Sequence, residues 1–279
     1  MSSSIVDKKI INIKEVNEAF IKLKRKHVRY TNFFFNQEEI LSWIQDGCLN
    51  IAYSDKSVLL LRKRKKFTTI YFLTCDAIDF DSLLQGVICN SCDIYVTNVF
   101  YRRGRMPDIV NVLKNKGFII RCTNKRLVLK NKTYIATSNF SYNLISASLT
   151  DTEEIYNMFL ENFDEFSDRL PTKQDISKAI ENKNIDIVLF KPLGTKTLVS
   201  VSWFVKKGHT ILWQYYVISS AYQGIGLGKK LACQVLKNYI NERIVLWCGD
   251  DNIPAISLHA SLGFVEDFAC DTTLCFFPT

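Results

Sequence analysis

Between Ile211 and Ile218 every residue except Gln214 is apolar or aromatic. A continuous run of this kind fits a central β-strand covered on both faces. The run stops at Ser219-Ser220-Ala221-Tyr222, and Gln223-Gly224-Ile225-Gly226-Leu227-Gly228 then opens a helix. Leu227, Leu231, Ala232, Val235, Leu236, Tyr239 and Ile240 keep helical spacing, and Ile244–Cys248 forms a second apolar strand. Strand, helix and strand at this spacing make a crossover unit, so the two strands are parallel neighbours. The fold class is therefore α/β, and every other segment has to be arranged around this pair.

Three glycines at alternate positions exceed what a tight strand-to-helix turn needs. A helix N-terminus leaves backbone N–H groups unpaired and carries partial positive charge. Glycines let a phosphate approach those groups closely, and Lys229 and Lys230 add charge. The residues thus fit a pyrophosphate cradle. A dinucleotide-binding reading would place Gly-x-Gly early in a domain, with an acidic residue ending the next strand. Here several strand-like segments precede the motif, although Asp250 and Asp251 do follow the next strand.

The rest of residues 139–279 supplies strands at Tyr142–Ser148, Ile185–Phe190, Leu198–Val205 and His209–Ile218. Asp151 reads as the cap of a helix carrying Ile155, Met158, Phe159 and Phe163, and Pro171-Thr172 opens a second helix. Asn252-Ile253-Pro254 starts the last helix, Gly263 ends it, and two strands, 264–268 and 273–277, complete the unit.

Residues 1–138 repeat this order in degraded form. Helices are expected near 16–27, 37–45, 81–87 and 108–115, with strands near 49–53, 57–62, 68–74 and 94–99. Gly117-Phe118 and Gly263-Phe264 occupy equivalent places, each between a helix and a strand. We read a divergent tandem duplication with domains 1–138 and 139–279. Charge changes at the same point: 24 Lys and Arg against 12 Asp and Glu in the first part (+12), and 12 against 16 in the second (−4).

With 47% apolar and 23% charged residues the chain is globular in composition. No run of about 18 apolar residues occurs and no leader is recognised at the N-terminus, so a cytoplasmic protein that neither spans nor binds a membrane is expected. Nine cysteines, an odd number without framework spacing, fit free thiols. Cys89-Asn90-Ser91-Cys92 is a lone CxxC, and no metal site is assigned. Three basic runs, 22–26, 62–66 and 101–105, read as solvated surface. Their sharper readings are an acidic substrate, a polyanion such as RNA, or docking against the acidic half.

Gln223-x-x-Gly226-x-Gly228 resembles the Q/R-x-x-G-x-G/A signature of the GNAT superfamily of N-acetyltransferases. A second family signature follows at Asn252-x-x-Ala255-Ile256-x-Leu258-His259-x-x-Leu262-Gly263-Phe264, and the element order from 142 onward is similar to the whole family fold. The resemblance implies tandem GNAT folds. Each would be a mixed, mostly antiparallel sheet with flanking helices and a parallel strand pair splayed beyond Tyr216–Ile218. It also implies acetyl-CoA as co-substrate, transferring its acetyl group directly to a primary amine on a small molecule or peptide.

Tyr216, Val217 and Ile218 would pair with the pantetheine. Gln223, Gly224, Ile225, Gly226, Leu227, Gly228, Lys229 and Asn252 would hold the rest. His259 stands where the family often has a tyrosine that protonates the leaving sulfur, and an ordinary histidine titrates near neutral pH; Tyr222 is the next candidate. No carboxylate lies on Trp213-Gln214-Tyr215-Tyr216, and the base stays open among Asp250, Asp251, Glu165 and Glu266. The first half has no glycine at Thr74–Asp81 but three aspartates, Asp76, Asp79 and Asp81, which oppose a phosphate. Two rival functions remain: a non-catalytic CoA-binding or nucleic-acid-associated adaptor, and an aminoacyl transferase on the duplicated fold.

Overall fold

A computed structural model describes residues 5–24, 26–35, 37–89, 92–137, 142–195 and 197–278. The chain forms two compact units, residues 1–123 with 270–279, and residues 124–269. The composition step at 138/139 falls on residues outside those described and within the span of the second unit. Asn90 and Ser91, inside the CxxC, also lie outside the described residues, while Cys89 and Cys92 are exposed free thiols. Among the described residues no helix is long and apolar enough to cross a membrane.

In the first unit the order is β1 (Ile5–Lys9), α1 (Ile13–Lys24), β2 (Tyr30–Thr31), α2 (Gln37–Gln45), β3 (Leu49–Tyr53), β4 (Ser57–Lys63), β5 (Thr68–Thr74), α3 (Ala77–Ile88), β6 (Tyr95–Arg102), α4 (Ile109–Asn115) and the start of β7 (Ile119–Leu129). Strands β1, β3, β4 and β5 pair antiparallel, and β5 pairs parallel with β6 from Thr68↔Tyr95 to Ile70↔Thr97. Alternation divides the apolar strand residues between two faces. Leu59, Leu61, Ile70 and Phe72 pack with Phe80 and Leu84 of α3. Val58, Leu60 and Tyr71 pack with Val16 of α1 and Ile40 and Trp43 of α2. The helix over 37–45 and the strands 49–53 and 68–74 coincide with their sequence-derived bounds.

The second unit continues with the rest of β7, then α5 (Thr133–Thr137), β8 (Leu144–Ser146), α6 (Thr152–Asn162), α7 (Lys173–Ile180), β9 (Ile185–Phe190), β10 (Ser200–Lys207), β11 (Thr210–Ile218), α8 (Leu227–Leu236), β12 (Arg243–Gly249), α9 (Ile253–Ser261) and the start of β13 (Phe264–Phe276). Strands β8 to β11 pair antiparallel in order, β11 and β12 pair parallel, and β12 pairs antiparallel with residues 124–128 of β7. This is the mixed, mostly antiparallel sheet with one parallel pair expected from the sequence, and each unit has it.

Three local expectations are corrected. Asp151 does not cap α6 with its side chain. Ser148 forms the capping box, Asp151 answers it from the third position, and Lys191 Nζ donates to Asp151 at 2.9 Å. A carboxylate this close to an ammonium serves better as an ion partner than as a cap. The helix expected at 81–87 begins earlier, at Ala77, because Asp76 accepts from the amides of Ile78 and Asp79.

The two final strands are one strand, with Phe268 at φ +65° inside it. Residues 264–269 of that strand belong to the second unit and 270–279 to the first. There Leu274 enters the core with Phe80 and Leu113, Phe276 packs on Phe118, and Asn98 donates to Asp271 and Thr273 at 2.9 and 2.7 Å. Each unit thus takes one sheet segment from a strand whose other end lies in its neighbour's sequence.

Gly263 ends α9 at φ +96°, and a Cβ there would lie 2.0 Å from the carbonyl oxygen of Asn131. That backbone is fixed, since Lys130 and Asn131 both donate to the Gly263 carbonyl. We predict that Gly263→Ala destabilises the protein by roughly 3–5 kcal/mol, combining a disfavoured φ with an overpacked contact. Chemical denaturation followed by tryptophan fluorescence checks this, and a loss under 1 kcal/mol refutes the close approach.

Candidate active site

The parallel ladder between β11 and β12 runs from Thr210↔Arg243 to Trp213↔Leu246 and stops there. Both strands continue, β11 to Ile218 against β10 and β12 to Gly249 against β7. The gap therefore opens at Trp213, earlier along β11 than the sequence reading placed it. Its cause is a bulge: Trp203 pairs with Tyr215 and Phe204 with Trp213, which leaves Gln214 as the extra residue. Without the bulge, Ile211, Trp213, Tyr215 and Val217 would share a face. With it, Ile211 and Trp213 pack beneath α8, whereas Tyr215 and Val217 pack against Phe159 and Ile176 of α6 and α7.

Ser219 N–H donates to Val199 O, so by strand alternation Val217 turns its main chain toward β10 and Tyr216 and Ile218 turn theirs toward the gap. The structure thus brings Tyr216 and Ile218 to the gap and does not bring Val217, whose side chain is also in the core. Gln223 Nε2 donates to the Ile218 carbonyl at 2.8 Å and so ties the glycine loop to the strand end. The Tyr216 hydroxyl donates to the Gly228 carbonyl, and burial pushes that phenol far above its ordinary range, leaving it protonated.

The three glycines divide by role. Gly224 and Gly226 sit at φ +78° and +76°, and a Cβ on either would meet no atom within 4 Å. They serve backbone conformation and leave open space over the loop. A Cβ on Gly228 would lie 3.4 Å from Ile218 Cγ1, so Gly228 serves the close packing of α8 on β11. Gly226 caps α8 without a side-chain hydrogen bond, which leaves the first-turn amides to other acceptors. Ile225 is exposed and Leu227 packs with Leu231. Lys229 Nζ lies 4.1 Å from the Tyr134 ring centre and points its charge there. Asn252 caps α9, its side chain accepting from Ala255 N–H at 3.1 Å. A phosphate-bearing ligand fits this arrangement: an open, uncapped helix start beside a strand whose ladder to β12 ends at Trp213.

His259, 7% exposed, lies between Trp213 and Phe264, ring centres 5.5 and 5.6 Å away. Its Nδ1 and the Trp213 Nε1 are buried and have no hydrogen-bond partner among the described residues. Desolvation lowers its pKa to about 4, which corrects the expectation of titration near neutral pH: an apolar, aromatic setting disfavours the imidazolium. Of the carboxylates left open as base, Asp250 faces Lys125 at 3.6 Å and Asp251 is exposed. Asp168, in the loop between α6 and α7, was not singled out by the sequence. Burial, opposed by the Asp164 amide, raises its pKa to about 6. The Tyr215 hydroxyl donates to the carbonyls of Asp168 and Arg169, both at 3.0 Å, and so fixes this loop beside the bulge. Asp168 is half-buried in the folded loop, where its carboxylate accepts from the Asp164 amide at 2.8 Å.

The Acetyltransferase (GNAT) family model matches residues 152–264. This span, which lies within the second unit, matches as a GNAT acetyltransferase domain. No curated protein matches the sequence. Among solved structures, a tandem GNAT protein from the clavulanic acid biosynthesis pathway aligns over 99% of this chain and 98% of its own, at 11% identity and TM-score 0.67. A GCN5-related N-acetyltransferase from Sphaerobacter thermophilus aligns over 98% and 95%, at 8% identity and TM-score 0.60. A GNAT-family acetyltransferase from Colwellia psychrerythraea aligns over 98% and 100%, at 10% identity and TM-score 0.60. At such identities the likeness is one of fold, and the fold is a tandem of two GNAT units.

Within the GNAT domain the buried imidazole makes stability depend on pH. His259 has a folded pKa of about 4, below the unfolded 6.5, so the unfolded chain binds the extra proton as pH falls. Stability is lost between pH 6.5 and 4, by about 3 kcal/mol at 1.36 kcal/mol per unit. Asp168 acts oppositely: its raised pKa adds stability as pH falls below about 6. We therefore predict the effect in the difference between wild type and His259→Leu, measured by urea denaturation at pH 7 and pH 4. Parallel stability curves would place the ring in a solvated setting.

Proposed function

We propose that the chain moves an acetyl group from acetyl-CoA to a primary amine of a small molecule or peptide, in one active site in the GNAT domain at residues 139–279. The observation that carries this is the open gap between β11 and β12 next to an uncapped, glycine-opened helix. Main-chain groups of Tyr216 and Ile218 pair with the pantetheine amides. Backbone amides of Gly224, Ile225, Gly226, Leu227 and Gly228 donate to the pyrophosphate, whose charge the helix start favours. Gln223 shapes this loop from the Ile218 carbonyl, Lys229 supports it electrostatically, and Asn252 sets the start of α9 beside it.

The bound thioester supplies the electrophilic carbonyl. The neutral amine forms a C–N bond to that carbon, the C–S bond breaks, one proton leaves the nitrogen and one joins the sulfur. Asp168 accepts the first proton: a carboxylate poised near pH 6 is ionised in neutral solution yet basic enough to act. His259, uncharged in this setting, gives a proton to the sulfur as it gains one from water at its other ring nitrogen. The proton that Asp168 took from the amine returns to the solvent in its place, so the proton lost by nitrogen balances the one gained by sulfur. The protein works in the cytoplasm without a membrane.

Gly226→Glu places a side chain and a negative charge over the loop. We expect loss of acetyl-CoA binding by more than about 100-fold, since several charge-assisted bonds of roughly 1.5–3 kcal/mol each are blocked. Calorimetric titration of the folded variant measures it, and unchanged affinity sinks the pyrophosphate assignment.

Asp168→Asn and His259→Ala should each lower kcat by about 10²–10⁴-fold while leaving acetyl-CoA affinity within about threefold. In wild type, kcat should fall below pH 6 as Asp168 protonates. If either variant keeps kcat within threefold, that residue is packing, and Asp250 or Tyr222 takes up the corresponding role. Release of free thiol from acetyl-CoA, screened against amines, identifies the acceptor. An intact cofactor site with no acceptor would favour the non-catalytic adaptor instead.

A further inference from the structure

The first unit carries the same parallel pair as the GNAT domain, but its gap is filled by the chain itself. Strands β5 and β6 stop pairing at Ile70↔Thr97. Immediately beyond, β2 pairs with β5 at Tyr30↔Thr74 and Thr31↔Leu73. Arg29 N–H donates to Thr74 O and Asn32 N–H to Phe72 O. The Thr31 hydroxyl donates to Phe72 O at 2.9 Å.

Asn32 then bridges both strands from a buried position. Its Oδ1 accepts from Phe72 N–H at 2.6 Å, and its Nδ2 donates to Ile70 O at 3.1 Å on β5 and to Asn98 O at 2.9 Å on β6. The Thr97 hydroxyl lies 3.1 Å from the same Nδ2 and itself donates to Ile70 O. An asparagine side chain is a primary amide, so it offers the donor and acceptor that an amide-bearing ligand would offer to strand backbone.

The helix that follows β5 is also satisfied from within. Asp76 accepts from the amides of Ile78 and Asp79 at 2.9 and 3.0 Å, and Lys56 pairs with it at 3.0 Å. Asp79 accepts from Ser54, and Asp81 pairs with Lys116 at 2.9 Å. The aspartates therefore do more than repel a phosphate: Asp76 already holds the amides that a phosphate would need.

We propose that the first unit is a self-occupied donor cleft, in which Tyr30–Asn32 stands where pantetheine would lie and the Asp76 carboxylate stands where a phosphate would lie. That unit binds no CoA, and the chain has one donor site. The comparison of the two clefts rests on the reading of the GNAT domain given above.

Two measurements on the full chain test it separately from that reading. Hydrogen exchange in the absence of any ligand should show the amides of Arg29, Asn32 and Phe72 protected by at least about 100-fold over unpaired loop amides. Asn32→Ala should speed exchange at Phe72 by about 10-fold or more. Exchange at loop rates in wild type, or protection at these amides that depends on added CoA, overturns the self-occupied cleft. Calorimetry with CoA should give one equivalent for wild type and none for folded Gly226→Glu. Two equivalents in wild type, one of them kept by that variant, overturn the proposal, whereas a single equivalent kept by the variant overturns the pyrophosphate assignment instead. If wild type binds no CoA at all, the reading of the GNAT domain fails, while the exchange data still decide the cleft.

Discussion

A β-ladder that stops inside a folded unit leaves backbone N–H and C=O groups that still need partners. Both units of this protein are built around that constraint, because each contains a parallel pair that parts after three or four registers. In the first unit β2 and the Asn32 amide meet the demand. In the second, Gln223 takes the Ile218 carbonyl and the bulge at Gln214 turns the neighbouring residues. One architecture therefore gives a closed structural module or an open strand edge, according to a few residues at the parting point.

Burial sets the acid–base character of the groups nearby. His259 and Asp168 carry ordinary side chains, but removal from water moves both toward their uncharged forms. For the imidazole this means a pKa far below neutrality. For the carboxyl it means a pKa near the range in which an amine proton can be taken up. Aromatic packing supplies the dry setting for His259, between Trp213 and Phe264, and the Tyr215 hydroxyl holds the main chain of the loop that carries Asp168.

The division into units does not follow chain order. Strands β7 and β13 each begin in one unit and end in the other. Leu274 and Phe276 fill the first unit's core although they close the sequence, and residues 124–128 border β12 although they precede the second half's own strands. A charge step along the sequence reports where composition changes, whereas burial and strand pairing decide which core a segment completes.

The sequence by itself determined the apolar strand read as His209–Ile218, which forms over Thr210–Ile218, the crossover to β12, the glycine-opened helix and the Gly263 stop. Each depends on local rules of periodicity, φ freedom and capping that operate within a few residues. It also pointed to a duplicated order, because apolar spacing survives where the functional residues do not. Only tertiary structure decided the bulge at Gln214, the neutral state of His259, the burial of Asp168, the strand shared between units and the closure of the first unit's gap by Asn32. The bulge depends on how two strands register, and the others draw on residues distant in the chain, as Asn32 meets Ile70 38 positions on and Asn98 meets Asp271 173 positions on. For these contacts the hydrogen-bond partner is absent from the residue's own stretch of chain.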